Sequence, residues 1–252
     1  MIEVMITALL VFSRLAGMMR VLPVLSMAGT PKLYLLLTGF AITVTILPIV
    51  PLAPLSTTMG VLLFGMAGEI LVGILMGSIV LAIFTSMTLA GEIMANQMSF
   101  SMATLFDPLM KSTDSTIGTI CNWLAGLVFL GAGLHFTCIG IVAESFQVIP
   151  PGRVASIFEG MEFFVDAVST SILIGVKLSG PVLILVWLVQ IFVAILTKMA
   201  PRMNVYFSVG ITLVNVAGLG LLGLSLPFIL QTHGEAMVNS TLIMVEAVKA
   251  MI

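Results

Sequence analysis

Long apolar runs separated by short polar breaks dominate the chain, and this pattern predicts membrane helices. Residues 33–68 contain no Asp, Glu, Lys or Arg, and neither do residues 115–143. About 20 consecutive apolar residues cross the hydrocarbon core of a bilayer. The runs and breaks therefore predict six spans, at about 4–25, 33–50, 58–89, 117–145, 169–197 and 205–231.

Two further segments have a mixed pattern. Residues 156–168 combine acids with aromatic residues, so we expect an amphipathic segment at an interface, and the tail 232–252 is weakly amphipathic. No soluble domain or linker is visible. The sequence predicts one membrane domain over residues 1–252, with an N-terminal part at 1–145 and a C-terminal hairpin part at 146–252.

Lysine and arginine are distributed unequally between the breaks. With six spans, four of them fall on one side: Lys32, Lys111, Lys198 and Arg202. Arg153 and Lys249 fall on the other side. Because cytoplasmic loops carry the excess of positive residues, the first group is expected in the cytoplasm and both termini outside.

The composition excludes several classes of protein. Only 8% of the 252 residues are charged and 60% are hydrophobic, with a mean hydropathy of +1.27. Soluble chains carry about 25% charged residues, so a water-soluble fold is excluded. The net charge is −2 and there is no run of basic residues, so no nucleic-acid partner is indicated. Cys121 and Cys138 lie in apolar sequence and are expected to be buried hydrophobic residues rather than metal ligands.

The stretch at 90–114 (AGEIMANQMSFSMATLFDPLMKSTD) matches neither a regular membrane helix nor a simple loop. Glu92 and Gln97 lead into residues 98–102, where Met and Phe alternate with serine, and Asp107-Pro108 is a plausible helix start. Irregular backbone at membrane depth is tolerated only where protein or a water-filled cavity surrounds it. The segment could close a pore with soft apolar side chains, or it could be ordinary core.

Two acids lie within or at the ends of apolar runs. An unpaired carboxylate there costs several kcal/mol, so Glu69 and Glu92 need a partner, a proton or water. They could line a polar path or hold helices together. Arg14 and Arg20 are the natural partners, lie on different faces of the first helix, and leave the pairing open.

Glycine patterns suggest close packing and no nucleotide site. Gly73 and Gly77 form a G-x-x-x-G face, which lets two helices approach closely. Residues 218–223 match G-x-G-x-x-G, but that motif needs a strand–turn–helix unit, and here it lies in an apolar run. No nucleophile–base pair, catalytic acid pair or metal-ligand spacing is present, so we expect neither an enzyme nor a cofactor.

Several motifs, taken in order, resemble the FliR family, the R subunit of the flagellar export gate and homologue of the SctT/SpaR subunit of injectisomes. They are Arg14-Leu15-x-Gly17 through Pro23, Gly68-Glu69 with Gly73 and Gly77, Ala90-Gly91-Glu92-Ile93 with Gln97-Met98, Ala103 with Asp107-Pro108, and residues 199–204 with Gly210. The resemblance covers nearly the whole chain and is closer to the flagellar branch. One departure is Ser99, where the family usually carries glycine.

The resemblance implies an all-α polytopic membrane protein with about six hydrophobic helices in hairpins, like a fused FliP-like and FliQ-like unit. It implies a non-enzymatic subunit of the type III export gate in the bacterial inner membrane and flagellar basal body. FliP-like and FliQ-like subunits, FlhB-like and FlhA-like components, membrane lipids and unfolded substrate proteins would be its partners. The assembled gate would sit raised above the bilayer.

The resemblance also assigns roles to residues. Residues 98–108 would be the plug that closes the channel, with these apolar contacts: Met98, Phe100, Met102, Leu105 and Phe106. Polar or assembly roles would fall to Arg14, Arg20, Glu69, Glu92, Gln97, Asp107 and Arg202. The alternative is a self-contained secondary transporter that binds a small solute with proline-broken helices and membrane acids.

Overall fold

A computed structural model describes residues 2–23, 31–53, 59–100, 115–153, 157–199 and 209–251. Within these ranges the chain is helical and contains no strand. The α-helices are α1 (Ile2–Val21), α2 (Lys32–Ile46), α3 (Met59–Gln97), α4 (Thr116–Gly131), α5 (Leu134–Val148), α6 (Ile157–Met199) and α7 (Ile211–Ala250). A short 3₁₀ turn, Leu47–Ile49, extends α2.

Four of these helices, α1, α3, α6 and α7, are long and apolar enough to cross a membrane. The pair α4 and α5 could form a fifth, bent span. The expected class, an all-α polytopic membrane protein, is confirmed. The expected number of six spans differs from these four or five, partly because α2 has only 15 residues and a span needs about 20.

The three longest helices exceed the thickness of a bilayer. Helices α3, α6 and α7 contain 39, 43 and 40 residues. At 1.5 Å per residue each is roughly 60 Å long, about twice the ~30 Å hydrocarbon core. A single crossing therefore leaves about half of each helix outside the hydrocarbon.

Several predicted boundaries are wrong. The described part of the expected interfacial segment, from residue 157, and the fifth span are one helix, α6. The described parts of the sixth span and of the tail are likewise joined in one helix, α7. Hydropathy separates apolar from charged stretches, but nothing in the backbone ends the helix where the polarity changes. The predicted fourth span is instead divided into α4 and α5, which meet at 62° where Gly133 has φ 67°.

The described residues form two compact units, the first assembled from three stretches of chain and the second from two. The first comprises residues 1–84, 129–170 and 237–252, and its core includes Leu15, Met18 and Ile79. The side chain of Thr7 in α1 accepts a hydrogen bond from the backbone N–H of Ala53 at 3.0 Å. Helix α1 is thereby held to the chain that follows α2.

The second unit comprises residues 85–128 and 171–236. It contains the end of α3, most of α4 and the apolar halves of α6 and α7. Ser86 Oγ and His233 Nδ1 lie 3.3 Å apart and are both buried. Gly175 of α6 lies against Leu89 of α3, where an added Cβ would come within 2.8 Å of the leucine side chain.

Candidate functional site

The first unit contains a buried ion pair between α1 and α3. Arg14 Nε donates to Glu69 Oε2 at 2.6 Å. The side chains are 0% and 3% exposed, so neither charge is solvated by water. The structure thus decides a pairing that the sequence left open: Glu69 pairs with Arg14, while Arg20 is exposed at the end of α1.

The remaining hydrogen-bonding capacity of this pair is largely used. Arg14 Nη1 donates to Ser145 Oγ at 2.8 Å, and Nη2 donates to the carbonyl of Ile149 at 3.1 Å. Glu69 Oε1 accepts the backbone N–H of Gly152 at 2.9 Å. The guanidinium also lies 4.0 Å above the ring of Phe146. A buried charge pair stabilises a fold only when such extra hydrogen bonds are present, and here they connect α1, α3, α5 and the turn after α5.

Glycines allow the close approach of α1 and α3 on which the pair depends. A Cβ on Gly73 would overlap the carbonyl oxygen of Arg14, and one on Gly17 would overlap the carbonyl oxygen of Ile70. A Cβ on Gly77 would come within 3.0 Å of the carbonyl oxygen of Met18. The backbones therefore touch over this stretch, with Glu69 one turn from Gly73.

Glu92, near the end of α3 in the second unit, binds the start of α4. Its Oε1 accepts the backbone N–H and the hydroxyl of Ser115 at 3.0 and 2.9 Å. Ser115 Oγ in turn accepts the N–H of Gly118 at 2.9 Å, as a helix N-cap does. The negative charge of a carboxylate at this position also interacts favourably with the positive end of the α4 dipole.

Helix α3 ends in a Schellman turn. Phe100 N–H donates to the carbonyl of Ala95 at 3.0 Å, and Ser99 N–H donates to the carbonyl of Asn96 at 3.2 Å. Ser99 occupies the left-handed position of this motif, with φ 63°. Glycine is the preferred residue there because a Cβ is disfavoured in the left-handed region, which gives a physical reason for the family's glycine.

Side chains of α6 bind the last residue of α3. Gln190 Nε2 donates to the backbone carbonyl of Gln97 at 2.9 Å. Trp187 Nε1 donates to the side-chain oxygen Oε1 of Gln97 at 3.2 Å. Since Met98 N–H donates to the carbonyl of Met94 at 3.0 Å, all four final carbonyls of α3, those of residues 94–97, have a partner.

The structure places only part of the expected plug. Met98 is fully buried, and its side chain lies against Gly218 of α7, where an added Cβ would come within 2.7 Å. Phe100 is half-buried in the turn. The other expected plug contacts, Met102, Leu105 and Phe106, lie outside the described residues. So do Asp107 and Arg202, for which polar or assembly roles were expected.

These positions change one sequence interpretation, that of the segment from residue 90, and leave the rejection of a nucleotide site unchanged. The segment expected to be irregular from residue 90 is helical up to Gln97, because Glu92 and Gln97 find polar partners in the second unit. The G-x-G-x-x-G match at 218–223 lies inside α7, and its first glycine makes room for Met98. No strand or turn accompanies the match, so it is not a nucleotide site.

Sequence reasoning missed the partners of these groups. Gln190 and Ser145 are polar residues inside apolar runs, and this position is the one sequence feature that could have identified them as hydrogen-bond partners. The backbone donor of Gly152 and the backbone acceptor of Ile149 leave no trace in the sequence. Among the described residues no cluster of three or more His, Cys, Asp or Glu could hold a metal ion.

Comparison with known families agrees with this arrangement. The model of a family described as bacterial export proteins, family 1, matches residues 5–240. The chain belongs to this family. The match includes both polar clusters and the whole stretch from α1 to the latter part of α7.

Named relatives of this export-protein family are similar over most of the chain. The flagellar biosynthetic protein FliR of Caulobacter vibrioides is 27% identical over 221 residues, 87% of this chain and 88% of the relative. FliR of Aquifex aeolicus is 28% identical over 230 residues, 90% of this chain and 88% of the relative. The Yop proteins translocation protein T of Yersinia pestis is 29% identical over 143 residues, 55% of this chain and 54% of the relative. The expected relationship to FliR is confirmed.

Proposed function

We propose that this protein is a non-enzymatic subunit of the type III protein export gate in the bacterial inner membrane, at the flagellar basal body. The observation that carries the proposal is the family match over residues 5–240. The relatives support it, since their names refer to flagellar biosynthesis and to translocation of Yop proteins. The four membrane-length helices fit the location.

Within the gate, residues 98–108 act as the plug of the channel for unfolded substrate proteins. The structure of α3 supports this role because the first residues of the segment, 98–100, are bound to the end of the helix in a closed turn. Gln97 is held by two side chains of α6. The start of the segment is therefore held in one position, which a plug needs if it is to close the same channel each time.

The polar clusters serve assembly rather than catalysis. Arg14 and Glu69 neutralise each other within the chain, so they hold the helices of the subunit together instead of binding substrate. Arg20, Arg202 and Asp107 remain for contacts with FliP-like, FliQ-like, FlhB-like and FlhA-like components. The single domain expected over residues 1–252 is part of this proposal.

Two measurements test the proposal. Co-expression with neighbouring export-gate subunits, followed by native mass measurement, should give a hetero-oligomer that contains this chain. Deleting residues 98–106 should leave that oligomer intact but make it conduct ions or small solutes across a planar bilayer. An intact oligomer that stays tight would refute the plug assignment, and a chain that never joins an oligomer would refute the gate assignment.

The transporter alternative depended on helices broken by proline. Helices α6 and α7 continue through Pro181 and Pro227 without interruption. The bend between α4 and α5 occurs at Gly133, in a segment without proline. A transporter would purify as a functional single chain and bind a solute by itself, which distinguishes it from a gate subunit.

A further inference from the structure

One face of α6 in the second unit is apolar and uncovered. Exposed aliphatic side chains recur on it at the spacing that keeps residues on one side of a helix: Leu173, Ile184, Leu188, Ile191 and Ile195. Each of these side chains is more than half exposed. A contiguous apolar surface of this kind marks the place where lipid or another protein covers the molecule.

Lys177 lies on this same face, one turn after Leu173. It is exposed, and it is the one Asp, Glu, Lys or Arg within residues 167–197. Among the described residues its ammonium group has no ion-pair partner. The two acids in the described part of this unit, Glu92 and Glu235, are bound to neutral side chains. The apolar face therefore contains a single cation that is not neutralised there.

Pro181 adds a hydrogen-bond acceptor to this part of the helix. The carbonyl of a helical residue accepts the N–H of the residue four positions later, and proline has no N–H. Since Pro181 lies inside α6, the carbonyl of Lys177 lacks its usual helical donor. A Cβ on Gly180 would meet nothing within 4 Å. The backbone here is open to an approaching group that can donate a hydrogen bond.

These polar groups favour a protein helix over lipid chains as the covering molecule. Acyl chains can neither bind an ammonium group nor donate to a carbonyl, so both groups would be left unpaired against hydrocarbon. A protein surface can supply both partners, and it would exclude water from Lys177 at any height of the gate relative to the bilayer. A second copy placed symmetrically on this face would bring two Lys177 side chains together, which is repulsive.

On the basis of the gate function proposed above, we propose that this face of α6 binds a helix of a neighbouring export-gate subunit, whose carboxylate forms an ion pair with Lys177. A desolvated charge is tolerated only beside a hydrogen-bonded counter-charge. A hydroxyl or amide side chain of the same helix donates to the freed carbonyl of Lys177. The open space at Gly180 lets the two backbones approach closely. The ion pair fixes the register in which the neighbouring helix docks.

Cross-linking with an apolar carbodiimide tests the ion pair in the oligomer formed with co-expressed gate subunits. The reagent condenses an amine and a carboxylate that are in direct contact into an amide, with loss of water and without a spacer. Peptide mass spectrometry should find an amide between Lys177 and an Asp or Glu of a neighbouring subunit. An amide from Lys177 to an acid of its own chain, or of a second copy of this chain, would overturn the proposal.

Competition between tagged chains measures what Lys177 contributes to assembly. A variant and the unmodified chain carry different tags, are expressed at equal levels with the other gate subunits, and are counted in the purified oligomer. Lys177→Gln should be incorporated at least about ten-fold less, because the carboxylate of the neighbour is left buried without a counter-charge. Lys177→Arg keeps the charge and should recover most of the incorporation. The isolated Lys177→Gln chain should unfold as the unmodified chain does, because Lys177 is exposed.

Lys198→Gln is the matched control, because Lys198 is an exposed cation of the same helix and unit. It lies in the last turn of α6, where it interacts with the negative end of the helix dipole. It should be incorporated as the unmodified chain is. Equal incorporation of Lys177→Gln and Lys198→Gln would overturn the contact at Lys177 and leave the gate assignment intact. If the unmodified chain enters no oligomer, the gate assignment fails and this contact fails with it.

Discussion

Replacing Glu69 with alanine should destabilise the first unit strongly. The substitution leaves Arg14 buried with only two neutral acceptors, Ser145 and the carbonyl of Ile149. It also removes the acceptor for the backbone N–H of Gly152. Arg14 cannot be solvated, since its side chain is 0% exposed, whereas Gly152 is exposed and its N–H can bond to water.

The magnitude follows from the lost ion pair. Removing one partner of a buried ion pair costs about 3–5 kcal/mol, and the exposed N–H of Gly152 adds little because water can replace Glu69 as its acceptor. We expect a total of about 4 kcal/mol, which is a large part of the stability of a typical domain.

The measurement is unfolding in detergent micelles by added denaturing detergent, followed by the loss of helical circular dichroism, because both tryptophans lie in the second unit. Glu159→Ala is the matched control, because Glu159 is an exposed acid of the same unit, in the first turn of α6. Removing it should cost less than about 1 kcal/mol. Co-purification with the other gate subunits should fall in Glu69→Ala and stay normal in the control.

A double variant separates lost charge pairing from lost volume. Arg14→Met with Glu69→Met replaces the pair by apolar side chains of similar size, which is often neutral or stabilising. It should recover most of the stability lost in Glu69→Ala. If Glu69→Ala is no worse than Glu159→Ala, or if the double variant is as unstable as the single one, the ion pair does not have the role assigned here.

Three further substitutions test the packing and the end of α3. Ser99→Gly should stabilise the second unit by about 0.5–1 kcal/mol, because glycine adopts the left-handed backbone conformation without steric strain. Ser99→Ala keeps the Cβ and should change the stability little. Equal effects of the two substitutions would exclude backbone strain as the cause. Gly73→Ala should lower the free energy of unfolding by at least about 1–3 kcal/mol, because the added methyl group separates α1 from α3. Gly68→Ala is the control: there is open space for its Cβ, so its effect should be neutral or favourable. Unfolding midpoints of the two variants compare these effects. Trp187→Phe should remove the hydrogen bond to α3 and lower the free energy of unfolding by about 1 kcal/mol. Trp123→Phe is the control, because both indoles are exposed, and it should not lower it; matching losses would show that the indole N–H of Trp187 is irrelevant.

Much of the fold was accessible from the sequence because burial in lipid leaves a strong compositional signal. Apolar runs located the helices, and the family motifs fell on α1, α3 and the segments after them. Helix ends were less accessible. Hydropathy reports the surrounding solvent, so it placed boundaries at residues 168 and 231, where the backbone of α6 and α7 simply continues.

The candidate site was only half predictable for a related reason. Glu69 was conspicuous as an acid in an apolar run, but two arginines were available to it. The choice of Arg14 depends on the contact of α1 with Gly73, which is a property of packing. Similarly, Gln97 was expected to flank an irregular segment, yet its partner Trp187 comes from a helix 90 residues away in the chain.

The closed end of α3 has a consequence for how a plug can move. The four last carbonyls of the helix are bound by residues 98–100 and by Gln190, and none of them depends on residues 101–114. Displacing residues 101–114 therefore exposes no unpaired carbonyl of α3. In the proposed plug, residues 98–100 are the fixed part, and only the residues after Phe100 can move without breaking hydrogen bonds of the helix behind them.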